Sequence, residues 1–174
     1  MNNQYHGAHK RGVTLVELLL YVGISSSILL LASLLLASIL EARVKNETVA
    51  EVEGQGRFVM ELIVRAARNS RSITAPVPTA TGASLTLNVV STSQNPTVFS
   101  LSSGTIRITE GAGAPISLTN ARVAASALLI ENRSRAGTPG TVRISFTLAR
   151  VNLSGRNEFN YSRTFTANAT LRPN

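Results

Sequence analysis

The chain has no cysteine, no tryptophan and no aspartate, and only two histidines and two lysines. Without cysteine there can be no disulfide, thiolate metal site or thiol nucleophile. This does not fix the compartment, because an exported chain can do without disulfides. His6 and His9 both precede the first apolar block, so the later part of the chain cannot build a Ser-His-Asp triad or a histidine metal site. Carboxylates are sparse there too: Glu110, Glu131 and Glu158 are scattered over strands and turns rather than paired for acid–base work. Gly111-Ala112-Gly113 precedes a proline and lacks a lysine, so it reads as a turn and not as a phosphate-binding loop. No enzymatic constellation is visible and no cofactor or metal is expected.

What is present is unevenly distributed. The 174 residues are 44% hydrophobic, enough for one domain with a modest core. Much of that apolar content lies in one block. From Leu18 to Leu40 there is neither a charged residue nor a proline. As a helix those residues span roughly 34 Å, more than the hydrocarbon core of about 30 Å. The run is longer than a secretory apolar region, and no small-residue cleavage site follows it at once. Lys10 and Arg11 precede it, and Arg43 and Lys45 follow it, interleaved with Glu41 and Glu47. The basic residues are balanced on the two sides and do not set an orientation. A single-pass anchor followed by an exposed domain is expected.

Glu17 does not suit a plain anchor, because a carboxylate at the centre of a membrane helix costs about 2.5–3.5 kcal/mol. Either it lies at headgroup level, or it pairs with a positive charge supplied by something else. The stretch Lys10-Arg11-Gly12-Val13-Thr14-Leu15-Val16-Glu17 resembles the N-terminal signal of the type IV pilin family: a short basic leader ending in glycine, then an apolar start with a glutamate. The resemblance implies a leader over residues 1–12, cut between Gly12 and Val13 by a membrane-embedded prepilin peptidase that also methylates the new Val13 amine. It implies that this amine meets Glu17 of a neighbouring subunit and sets register during assembly. One departure is that Val13 stands where the family usually has phenylalanine.

Beyond Leu40 the helix is expected to continue to Arg71. Val49, Val52, Gly56, Val59, Ile63 and Ala66 recur at helical spacing, with Arg57, Glu61, Arg65 and Arg68 on the other side. Gly54 and Gly56 weaken it and suggest a bend or close packing against a strand. Ala75–Gly82 reads as a loop. Short strands are expected over 84–91, 97–101, 105–109 and 116–118, with 124–131 a more ambiguous one. Two longer strands, 141–152 and 158–171, turn through Ser154–Asn157 into a hairpin. The expected class is α+β. Residues 13–40 form the transmembrane or filament-core helix, 41–71 its amphipathic continuation, and 72–174 a small antiparallel β head packed on it. The layout resembles J-type minor pseudopilins, which implies a structural subunit of a type IV pilus or type II secretion-like filament, acting in filament initiation or at the tip.

Between Asn46 and Asn174 thirteen arginines stand against seven glutamates, a balance of +6. A basic face can meet an acidic neighbouring subunit, the envelope or nucleic acid. The head aromatics Phe58, Phe99, Phe146, Phe159, Tyr161 and Phe165 fall mostly in apolar alternation, which favours a core over base stacking. Asn46, Asn132, Asn152, Asn160 and Asn168 each open an N-x-S/T triplet, read here as a product of composition. The expected partners are the prepilin peptidase, other pilin-like subunits and the cytoplasmic membrane, with the N-terminus cytoplasmic and the head outside. A DNA-uptake subunit and an anchored protein that never polymerises are the alternatives.

Overall fold

The computed structural model describes residues 12–172. Its class is α+β: one long N-terminal helix, then two antiparallel sheets. The leader residues Lys10 and Arg11 lie outside the described part. Two compact units divide the chain, residues 1–42 and 43–174.

The helix α1 runs Leu15–Arg68. In the first unit it buries nothing. Every Val, Leu, Ile and Tyr from Val13 to Leu40 is exposed, from Ile24 at 52% to Leu15 at 76%. Most serine hydroxyls along this stretch are satisfied within the helix. Ser26 and Ser27 donate to the Gly23 carbonyl at 2.9 Å, Ser33 to Leu29 and Ser38 to Leu35 at 2.8 Å. Such back-bonding satisfies four of the five serines and leaves Ser25 as the one without an intrahelical partner. The stretch is long and apolar enough to cross a membrane.

In the second unit α1 becomes one-sided, burying Thr48, Val52, Gly56, Val59, Met60, Ile63 and Ala67. The expected Val49 and Ala66 are only half-buried. The helix ends at Arg68 and not at Arg71. Ser70 is buried, and its hydroxyl donates to the Ala67 carbonyl at 2.7 Å, closing the last turn. The chain then enters β1 (Ser70–Ala75), where a helix end and a loop were expected.

The head holds two sheets rather than one. The five-stranded sheet has the order β1, β3 (Ser84–Val89), β4 (Thr97–Ser102), β5 (Thr105–Glu110), β6 (Ile116–Ser117). The four-stranded sheet has the order β2 (Thr81–Gly82), β7 (Val123–Asn132), β8 (Thr141–Arg150), β9 (Ser162–Thr170). All pairings are antiparallel. Strand alternation supplies one buried face to each sheet: Leu85 and Leu87, Phe99, Ile106 and Ile108 from the first; Ile130, Val142, Ile144, Phe146, Leu148 and Phe165 from the second. These join the helix residues in one continuous core. Segment 124–131 is indeed strand, with a bulge between Ser126 and Leu129 where Ala127 takes φ +54°. β8 and β9 form the expected hairpin, but the linker is longer than four residues, because the strands stop at Arg150 and resume at Ser162. Asn132 is buried and donates to the Pro76 carbonyl at 2.6 Å, so its triplet offers no accessible acceptor.

Candidate functional site

The N-terminal site is built on the first turn of α1. Gly12 and Val13 precede the helix and are exposed. Thr14 is its cap: the Glu17 amide donates to Thr14 Oγ1 at 3.2 Å, and the Leu18 amide to the Thr14 carbonyl at 3.1 Å. This is one half of the Thr-x-x-Glu capping arrangement. The reciprocal half is replaced by Tyr21, one turn on, whose hydroxyl donates to Glu17 Oε1 at 3.0 Å. Glu17 therefore sits in the first turn, where the helix dipole favours an anion by about 0.3–1 kcal/mol. Sequence reasoning missed both Thr14 and Tyr21. The first had a legible signal, a threonine three residues before a glutamate at the head of an apolar run. The second needed only the four-residue spacing.

These internal partners are weighed against the cost of the carboxylate in lipid. A hydrogen bond to a charged group nets about 1.5–3 kcal/mol and the dipole adds about 0.3–1. Together they are of the same order as the roughly 2.5–3.5 kcal/mol that a charge costs at the centre of a membrane helix. These local partners offset much of that cost, and a cation from a neighbour would add to them.

No family model, curated protein or solved structure matches this chain. The site has to be read from its own residues.

The head contributes two further groupings. Glu53, on α1, takes the Tyr161 hydroxyl at 2.8 Å, Arg57 at 3.4 Å and a close ion pair from Arg163. Arg163 and Tyr161 hold its carboxyl below the ordinary glutamate range, and Glu53 in turn raises the Arg163 guanidinium. Two residues earlier, Glu51 accepts from Asn120 Nδ2 at 2.7 Å and Gln55 Nε2 at 2.5 Å, and these bonds lower its pKa too. Both tie the helix to the rest of the head, Glu53 to β9 through Arg163 and Glu51 to the segment before β7 through Asn120. A cleft of about 490 Å³ lies at the end of the head where α1 stops, with Ile73 and Leu171 on its floor and Arg71 and Arg172 among its lining. No carboxylate lines it. Of the head aromatics expected to favour the core, Phe99, Phe146 and Phe165 are buried, while Phe58 is exposed.

Proposed function

We propose that the chain is a structural subunit of a type IV pilin-like filament. In this reading it is cut between Gly12 and Val13, anchored by residues 13–40 in the cytoplasmic membrane with the head outside, and then assembled with other pilin-like subunits. The observation that carries the reading is the apolar helix stretch with none of its surface covered. Burying a leucine or valine side chain is worth about 1.5–3 kcal/mol. Some eighteen such side chains left in water would cost more than a domain's whole stability, about 5–15 kcal/mol. Lipid must cover them first, and neighbouring helices can cover them later. A Gly12-Val13 junction ahead of that stretch, exposed and not yet helical, is open to a protease. The test is the N-terminus of the protein isolated from its native host. Mass spectrometry should find a chain beginning at N-methylated Val13, and Gly12→Asp should abolish the cut. A retained Met1 or a cut beyond Leu40 would overturn the assignment.

A second reading is favoured by the Thr14–Glu17–Tyr21 arrangement: an anchored protein that never polymerises, its glutamate satisfied within its own helix. The two readings differ in what Glu17→Leu does, as argued below. The arginine-lined cleft offers a place for an anionic partner such as nucleic acid. With most head aromatics in or against the core, it offers little for base stacking.

A further inference from the structure

The linker between β8 and β9, residues 151–161, is ordered by its own hydrogen bonds. Asn152 Nδ2 donates to the Arg156 carbonyl at 2.9 Å and to Asn160 Oδ1 at 2.6 Å. Ser154 Oγ donates to Asn152 Oδ1 at 3.1 Å, and Gly155 takes φ +69° to let the chain turn. Next to Asn152 this loop holds Leu153 outward at 97% exposure, the highest of any large apolar side chain in the described residues. A single exposed leucine is ordinary on a protein surface; this one is held at a fixed place by an ordered loop, so where the loop sits decides what the leucine can meet.

Its location says what. Lys45 Nζ donates to the Asn160 carbonyl at 2.6 Å and lies 6.0 Å from the Tyr161 ring centroid. The loop is thus tied to Lys45, and Lys45 follows Leu40, the last residue of the uncharged run, by five positions. Five residues reach about 8 Å as helix and at most about 18 Å fully extended. Covalent connection alone keeps Lys45, and with it the loop, close to where the apolar run ends.

We propose that the 151–161 loop is a membrane-contact element, with Leu153 entering the headgroup–acyl boundary of the bilayer that holds residues 13–40. The inference rests on the anchor reading of that segment. The contact is apolar and not electrostatic. Of the nearby cations, Arg43 is paired with Glu47 and Arg156 with Glu158, while Lys45, which has no carboxylate partner among the described residues, is engaged by the Asn160 carbonyl and the Tyr161 ring. Zwitterionic phosphatidylcholine is a sufficient partner. The contact restrains the height and tilt of the head while the subunit waits in the membrane.

The absence of tryptophan makes the test clean, because Leu153→Trp introduces a single one. The full chain is reconstituted into phosphatidylcholine vesicles with or without acyl-chain bromines, which quench indole emission at short range. Leu29→Trp marks the middle of the apolar run. Thr138→Trp marks the cleft end of the head, which borders Arg172. Arg172 bonds to Arg68, about 35 Å along α1 from Lys45. Leu29→Trp should be quenched strongly and Thr138→Trp not at all. Leu153→Trp should lose about half its emission to bromines near the glycerol level, as expected for a side chain about 5–10 Å into the interface. If Leu153→Trp behaves like Thr138→Trp while Leu29→Trp is quenched, the anchor stands and the loop contact is wrong. A blue-shifted but unquenched Leu153→Trp means that protein covers the leucine, and this also overturns the proposal. If Leu29→Trp is not quenched either, the anchor reading fails and takes the loop contact with it.

Discussion

Gly54 and Gly56 lie two residues apart on the same helix and have opposite meanings. A β-carbon at Gly54 would meet nothing within 4 Å, whereas one at Gly56 would overlap the Phe165 ring. That ring has little room to retreat, since it is 9% exposed and packs on Phe146 with ring centroids 5.5 Å apart. Gly56 is thus the close approach of helix to strand, and Gly54 is a plain helix glycine. Gly54→Ala should stabilise the protein by about 0.5–1 kcal/mol, through helix propensity and a less flexible unfolded chain. Gly56→Ala gains the same propensity but overpacks the core, at a cost of about 1–3 kcal/mol. Its net effect should be a loss of up to about 2 kcal/mol. Thermal melts of the two variants in detergent should move in opposite directions. A gain in both would mean that the Phe165 ring yields freely.

The ties between α1 and the sheets are carboxylates, and this gives the head an acid limit. Glu53 is held mainly by Arg163 and then Tyr161, and Glu51 mainly by Asn120 and then Gln55; both have pKa values below the ordinary 4.5 in the folded state. A group whose folded pKa is depressed binds fewer protons folded than unfolded. Its stabilisation is therefore complete above about pH 4.5 and is lost as pH falls through the lower folded value. Wild-type melting temperature should drop below pH 4.5. The combined Glu51→Gln and Glu53→Gln variant should melt lower at neutral pH yet depend less on pH in that range. An unchanged acid slope in the variant would place the acid sensitivity elsewhere. None of these ties was legible, because they join positions 51 and 53 to 120 and 163, and no local pattern encodes such pairs. What was legible is local. The alternation Val142, Ile144, Phe146, Leu148 is wholly buried in β8, as its period of two required. The helix stripe was nearly right. Its average spacing of about 3.4 falls short of the true 3.6, so at the two ends the core residues are Thr48 and Ala67 rather than Val49 and Ala66. β1 escaped notice because Ile73 is its only large apolar residue, leaving no alternation to see. The division into two sheets depends on which strands pair, and that is set by distant contacts.

The head closes its core within its own residues, and the preceding helical stretch closes none. The two parts therefore answer to different surroundings, and the one charge at the start of the bare stretch, Glu17, decides how it is used. The N-terminal site was half legible: Gly12, Val13 and Glu17 stood out by type and order, while the local partners Thr14 and Tyr21 did not. Those partners make the prediction sharper. If Glu17 serves only its own helix, Glu17→Leu loses the Tyr21 hydrogen bond and the helix-dipole interaction, about 2–4 kcal/mol, and removes a charge that costs a similar amount in lipid, so membrane residence and any association are unchanged. If Glu17 meets the freed Val13 amine of an adjacent subunit, the same change strands that amine. Breaking one side of a buried pair costs about 3–5 kcal/mol, more than a hundredfold in an association equilibrium. Tyr21→Phe separates the cases further, since it removes the internal hydrogen bond and leaves the carboxylate available to a neighbour. On the filament reading, the Glu17→Leu protein is cut after Gly12, stays in the membrane and fails to cross-link into assemblies, while Tyr21→Phe assembles. Cross-linking in the native host, with wild type alongside, measures both. Normal incorporation of Glu17→Leu would leave Glu17 as a partner of Tyr21 in its own first turn and nothing more.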